Sequence, residues 1–274
     1  MNFPRILKKR KGYIDRIKPF MQKSVVKVLT GQRRVGKSFL LYQLIEEILA
    51  EEPNANIIYV NLEDFTFSSL QTAEDLHSYI ISHSKEKVKN YIFIDEIQDI
   101  PGFEKVIRSL LLNEDNDIYI TGSNAKMLSG ELATYLSGRY IEFKIYSLSY
   151  SEFLEFHGLT ESETSYELYS RYGGLPYLLN LPLEDETVNE YLKSVYSTIV
   201  FRDVVSRYKL RNTLFLEKLI QFLSENIGNL FSAKNISDYL KSQYTTISVN
   251  QIQSYTEYLN NAFLIHRVER YDLI

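Results

Sequence analysis

Val25-Val26-Lys27-Val28-Leu29-Thr30 runs straight into Gly31-Gln32-Arg33-Arg34-Val35-Gly36-Lys37-Ser38, and helical spacing follows from Lys37 to Leu49. The first run is short, rich in β-branched residues and ended by glycine, so it reads as a strand. The second matches G-x-x-x-x-G-K-[ST] at every fixed position, between that strand and an amphipathic helix. The chemistry of such a loop is definite. Glycines let the backbone approach a phosphate, while loop amides and the helix N-terminus face the anion. On this reading the segment Gly31 to Phe39, with Gln32, Arg33, Arg34, Val35 and Gly36, surrounds the phosphates of a nucleotide. Lys37 supplies positive charge to the β- and γ-phosphates, and Ser38 offers its hydroxyl to Mg²⁺.

Working outward, four more short apolar runs follow: Ile57–Asn61, Tyr91–Asp95, Asp117–Thr121 and Tyr140–Ile145. Helix-length segments alternate with them: Lys37–Leu49, Ala73–Ser84, Gly102–Asn113 and Ala125–Leu136. Strand and helix in alternation predict an α/β fold with a mainly parallel sheet covered on both faces. Tyr91-Ile92-Phe93-Ile94 delivers Asp95 and Glu96 at its C-terminal end, the end that faces the ligand crevice in parallel sheets. Asp95 is placed to hold Mg²⁺, and Glu96 to polarise an attacking water. The pair argues for water rather than a small-molecule acceptor, which a kinase would need. The next strand ends in Thr121-Gly122-Ser123-Asn124. Its polar tip suits γ-phosphate sensing, and it suits plain turn chemistry equally.

From about Tyr146 the period becomes helical. A Ser-x-x-Glu capping box at Ser149–Glu152 opens one helix, and a long helical stretch runs from Val188 to about Tyr208. Beyond Leu210 the pattern is three helices (Phe215–Asn226, Ser232–Lys241 and Ser248–Phe263) and a strand-like run, the outline of a winged helix. The expected division is a core with a basic N-terminal arm over residues 1–146, a helical lid over 147–209 and a winged-helix-like region over 210–274. The chain ends inside an apolar alternation, which leaves the wing without its return strand and favours a fragment of a longer protein.

Composition narrows the class. The 274 residues carry a net charge of −4, with 45% hydrophobic and 24% charged residues, as in globular proteins. There is no cysteine, which excludes disulfides, thiolate metal sites and a cysteine nucleophile. No apolar run approaches the roughly 20 residues that span a bilayer, and the N-terminus lacks the apolar core of a secretory signal. A cytoplasmic protein without a membrane partner is the expectation. The four histidines show no metal-ligand spacing. The first forty residues are strongly basic, which suits nucleic acid, phosphate, an acidic neighbour or simply a solvated face.

The phosphate loop, the Asp-Glu strand and the polar-tipped strand after it resemble AAA+ and related additional-strand ATPases. More narrowly, GQRRVGKS, YIFIDEIQDIPGFEKVIRSL, ITGSNAKML, ELATYLSGRYIEFKIYSLSYSEFL, YGGLPYLL and VFRDVVSRYKLRN resemble prokaryotic AAA-domain ATPases related to archaeal STAND-like ATPases. The resemblance implies an ATPase core, a lid, a winged helix and commonly a further nuclease-like C-terminal domain, for which this chain has no residues. It places Ser123 or Asn124 at the sensor position. Arg139, just before the fifth strand, is either a finger acting on a neighbouring copy in a homo-oligomer, or a local cap of the preceding helix or partner of an acid. Gly174 and Pro176, in Gly-Gly-Leu-Pro, take the position of a lid motif that contacts nucleotide, though a plain turn looks the same. Arg202 and Arg207 are sensor candidates on the lid helix.

The expected function is Mg²⁺-dependent ATP binding and hydrolysis that drives a conformational switch. The alternatives are a nucleotide-regulated DNA-binding module and a scaffold whose ATP is structural. The candidate recognition helix Ser248–Phe263 has Glu257 as its only charge, so phosphate neutralisation by that helix is poor. A protein client suits it better than DNA.

Overall fold

A computed structural model of the protein describes residues 8–125, 135–136, 138–242 and 247–268. It divides into two compact units, Met1–Leu192 and Lys193–Ile274.

The first unit is built on five parallel strands: β1 Val26–Thr30, β2 Asn56–Asn61, β3 Asn90–Asp95, β4 Asn116–Gly122 and β5 Tyr140–Lys144. Their order is β2-β3-β4-β1-β5. Four helices precede or join them: α1 Lys11–Ile17, α2 Lys37–Glu51, α3 Ala73–His83 and α4 Phe103–Leu110. Every residue of β1, β3 and β4 is buried, which is why their sequences are continuous apolar runs rather than half-polar alternations.

The alternation is still there, as a difference in shape. Val26, Val28, Ile92, Ile94, Ile118 and Ile120 point to one face, where α3 contributes Leu76 and Ile80 and α4 contributes Val106, Ile107 and Leu110. Leu29, Tyr91, Phe93, Tyr119 and Phe143 point to the other, against Ile14 and Ile17 of α1 and Leu40, Leu41, Leu44, Ile45 and Ile48 of α2. Aliphatic residues line one layer, and aromatics dominate the other on the central strands. Phe93 and Tyr119 stack with centroids 4.5 Å apart.

A buried ion pair sits at the N-terminal ends of the strands. Lys27 of β1 pairs with Asp117 of β4, both side chains fully buried. Asp117 also accepts the Gln22 N–H and the Tyr119 hydroxyl, each at 2.8 Å.

Beyond the sheet, α5 Tyr150–His157 starts at the expected capping box, with Ser149 and Glu152 bonding each other's backbone. Helix α6 spans Glu163–Tyr172, and a 3₁₀ turn follows at Pro176–Asn180. The long helix predicted from Val188 begins earlier, as α7 Asp185–Thr198, and ends as a π-helix over Ile199–Ser206. The division between the two units falls inside α7, whereas the lid predicted from sequence ran to residue 209.

The second unit contains the three helices predicted for it: α8 Thr213–Glu225, α9 Ala233–Ser242 and α10 Val249–Asn261. Phe215, Leu216, Leu219, Ile236, Leu240, Ile252 and Leu259 are buried. Tyr208 stacks on Tyr258 at 3.8 Å. Among the described residues no strand follows α10; the rest of the wing expected there, like most of the helix expected at 125–136, lies outside them. No helix among the described residues is long and apolar enough to cross a membrane.

Candidate nucleotide site

The loop after β1 is shaped by glycine where nothing else fits. Gly31 has φ +150°, and a Cβ there would lie 2.1 Å from the Ile145 carbonyl oxygen. Gly36 caps α2 from the left-handed region at φ 94°. Arg34 takes the same region at φ 68° and is exposed. Lys37, the first residue of α2, is buried. Its Nζ donates to the carbonyls of Gly31 at 3.0 Å and Gln32 at 3.1 Å, and lies 3.5 Å from Glu96 Oε1. The ammonium is therefore held inside the loop with a carboxylate opposite.

Asp95 and Glu96 stand at the end of β3 with different surroundings. Asp95 is 1% exposed. It accepts hydrogen bonds from the Thr121 hydroxyl and from the Tyr59 hydroxyl at 3.3 Å, and the Ser38 side chain lies close enough to favour its charged form. Burial outweighs those bonds and raises its pKa above the ordinary carboxylate value. For Glu96, burial also favours the neutral form, but Lys37, then Arg33, overcome it and hold the pKa below the usual value.

Glu96 also has a left-handed backbone, φ 56° and ψ 46°. Two bonds fix it there. Its N–H donates to Thr121 Oγ1 at 2.9 Å, and Gln98 Nε2 donates to its Oε2 at 2.5 Å. Thr121 thus binds both acids at once. Ser123, next along from β4, is 1% exposed. Its Oγ lies close enough to Glu96 to favour the charged carboxylate, but not in hydrogen-bonding geometry, and it has no partner among the described residues. Asn124 is buried beside it. Arg33 is buried against Glu63, Nη1 to Oε1 at 2.8 Å.

Other predicted residues fall around this centre. Phe39 is half exposed and begins an aromatic series, with Phe39–Tyr42 centroids at 6.0 Å and Tyr42–Tyr59 at 5.4 Å, that ends at Asp95. Pro176 overhangs the loop: its Cγ would be 3.7 Å from a Cβ on Gly36. Gly174 has a backbone reason to be glycine, since a Cβ there would sit 2.2 Å from the Leu148 carbonyl oxygen. Arg207 belongs instead to the second unit, where it pairs locally with Asp203 at 3.5 Å.

Arg139 stands apart. It is exposed, and its carbonyl accepts the N–H of Val26 at the start of β1. The phosphate loop leaves the other end of that five-residue strand, roughly 15 Å away at about 3.3 Å per residue.

Sequence reasoning passed over Arg10. Its guanidinium bonds Glu152 through Nε and Nη2 at 2.8 Å each, Val35 O at 3.2 Å, Tyr146 O at 2.9 Å and Ser147 O at 3.4 Å. Those are all five donors the group has. Its plane also lies 4.5 Å from the Tyr13 ring centroid. The basic arm is thus anchored at the base of the phosphate loop, with Arg10 only 4% exposed.

The loop strand β1 lies beside β4, and β4 separates it from the acidic strand β3. With the loop motif and the acids on those strand ends, this defines an additional-strand P-loop nucleoside-triphosphatase fold. Comparison with known proteins narrows the class. An AAA-domain family model matches residues 23–154, and a model for a domain of unknown function matches 163–273. An uncharacterized protein of Haemophilus influenzae is 37% identical over 96% of this chain and 67% of its own length. The uncharacterized protein MJ1544 of Methanocaldococcus jannaschii is 32% identical over 88% of this chain and 55% of its own. The chain therefore spans between about half and two thirds of these relatives. Among solved structures, the Aeropyrum pernix ORC1 protein in complex with DNA is similar over 94% of this chain and 85% of its own, at 15% identity and a TM-score of 0.46. A likeness that distant carries no weight for function. The chain belongs to the AAA-domain family of P-loop ATPase-related proteins.

Proposed function

We propose that this protein binds ATP with Mg²⁺ in the loop Gly31–Ser38 and hydrolyses it, with Glu96 as the group that polarises water. The observation that carries the reading is the contrast between the two acids of β3. Asp95 takes the Thr121 and Tyr59 hydroxyls, with Ser38 close by, while Glu96 is held in its charged form and faces Lys37.

The donor set fits the metal. Mg²⁺ takes hard oxygen ligands and is commonly held by one or two carboxylates together with substrate phosphates. Asp95 is such a carboxylate and Ser38 adds a hydroxyl oxygen, and among the described residues no cluster of three or more acids or histidines competes with them. When bound, the ion would neutralise phosphate charge.

The chain's own residues do the rest. Loop amides and the α2 N-terminus hold the phosphate oxygens. Lys37 moves from the Gly31 and Gln32 carbonyls to the phosphate charge. Glu96, ionised and oriented, accepts a proton from water as it attacks phosphorus. Ser123, with its buried unpartnered hydroxyl, donates to the terminal phosphate, with Asn124 beside it. Pro176 and Arg34 close over the nucleotide.

Arg139 stands too far from its own loop to serve it, so its role is toward a second copy in a homo-oligomer. This favours a switch that works as an assembly, and the three-helix second unit is then the part that meets a protein client or DNA. The test is steady-state release of phosphate from MgATP across protein concentration, with Glu96→Gln as the control. Turnover above that control, rising per subunit with concentration and lost in Arg139→Ala, is expected. Turnover equal to the Glu96→Gln background at every concentration refutes hydrolysis.

A further inference from the structure

The Glu96 carboxylate has two holders, and they differ in permanence. Oε1 faces Lys37 at 3.5 Å, and Oε2 receives the Gln98 amide at 2.5 Å. Lys37 is the cation that the loop offers to phosphate, so a bound triphosphate draws it away from Glu96. Gln98 has no such competing duty: it lies in the 3₁₀ turn Ile97–Asp99 directly after Glu96.

Its other amide atom is informative. Gln98 Oε1 is buried and accepts no hydrogen bond among the described residues. A buried carbonyl without a donor is a cost to the fold, and an apolar side chain of the same shape would avoid it. The bond to Glu96 is the compensating interaction this side chain makes, so its use lies with Glu96 and not with packing.

We propose that Gln98 is a positioning residue. It keeps the Glu96 carboxylate turned toward the attacking water once Lys37 has been taken by phosphate. Thr121 fixes the backbone of Glu96 and Gln98 fixes the side chain, so the base is oriented whether or not nucleotide is bound. This rests on the reading of Glu96 as the group that activates water.

The experiment compares Gln98→Met, which keeps length without the donor, and Gln98→Glu, which replaces the donor with a second carboxylate. Glu96→Gln and the unaltered chain frame the scale. The readouts are kcat and KM for MgATP, calorimetric affinity for MgADP, and the melting temperature without nucleotide. Misplacing a general base costs about tenfold or more in rate. Gln98→Met is therefore expected to lose about tenfold in kcat while KM and MgADP affinity stay within about twofold and the melting temperature does not fall. Gln98→Glu is expected to lose at least as much. A Gln98→Met enzyme with unaltered kcat overturns the proposal and leaves the ATPase reading standing. A loss of kcat matched by lower melting temperature and weaker MgADP binding overturns it in favour of a structural role. Unaltered protein no faster than Glu96→Gln removes the base itself, and the proposal goes with it.

Discussion

Replacing Arg10 by alanine takes one side chain from the N-terminal arm and disconnects three segments. The guanidinium holds the Val35 carbonyl in the phosphate loop, the Tyr146 and Ser147 carbonyls after β5, and the Glu152 carboxylate on α5. Breaking a buried ion pair by removing one partner costs about 3–5 kcal/mol. Two features place this case at the low end. The Glu152 side chain is 24% exposed, and it keeps its bond from the Ser149 N–H at 3.0 Å. The loss should then be about 3 kcal/mol, to which the orphaned carbonyl of buried Val35 contributes. For a unit of this size each kcal/mol moves the melting temperature by about 2–4 °C, so a drop of about 6–12 °C is expected. Lysine keeps the charge but cannot fork between a carboxylate and three carbonyls, so Arg10→Lys should fall between. Differential scanning calorimetry of the full chain measures both. An Arg10→Ala protein that melts within about 2 °C of the unaltered one refutes the account of Arg10 as a clamp.

Three further outcomes follow from the same geometry. Burial pushes the Glu152 carboxyl up, but the Arg10 bond, the Ser149 N–H and the Arg10 charge hold it below its ordinary 4.5. A depressed carboxyl contributes stability that is complete above its unfolded value and lost as pH falls through the folded one. The gap between the unaltered chain and Arg10→Ala, read from urea midpoints, should therefore be full near pH 7 and close as pH drops below about 4.5. Gly31→Ala drives a methyl into Ile145 O and should cost at least about 3 kcal/mol, whereas Gly36→Ala, with Pro176 Cγ at 3.7 Å, should cost about 1–2 for its backbone angle alone. Equal denaturation midpoints for the two would be the contrary result. Lys27→Met leaves Asp117 buried with only neutral donors and should cost about 3–5 kcal/mol by chemical denaturation, with Lys27→Met/Asp117→Asn recovering much of it.

The strands were legible because burial on both sides leaves long apolar runs, and β1, β3 and β4 stand within a residue or so of where those runs predict them. Their order was not: it depends on which strand lies beside β1, and no local pattern carries that. The difference between Ile92 and Ile94 on one face and Tyr91 and Phe93 on the other was present in the sequence but acquires meaning only with the layers they meet. The phosphate loop and the Asp95-Glu96 pair were readable as local motifs tied to strand ends. Thr121 was one of three polar candidates after its strand, and its bond to both acids requires β3 and β4 to be neighbours. Gln98 gave no signal, since a glutamine two residues past an acid is unremarkable until its bond and its bare carbonyl are seen. Arg10 was lost among a dozen basic residues. Gly174 shows the opposite limit. The motif drew attention to nucleotide, while the close neighbour that excludes a side chain there is the Leu148 backbone.

The strand order also governs when the nucleotide site can exist during synthesis. Strand β1 leaves the ribosome before every other strand, yet it pairs with neither β2 nor β3. Lys27 aligns with Tyr119 of β4 and Val26 with Tyr140 of β5. Until those late segments are made, the nascent β1 has two unsatisfied edges, and Ile145, whose carbonyl crowds Gly31, has not been translated. Parallel pairing across such separations is slow to form. The phosphate loop is thus among the last local structures of the core to set, and nucleotide binding by a growing chain would report completion of the sheet rather than its beginning.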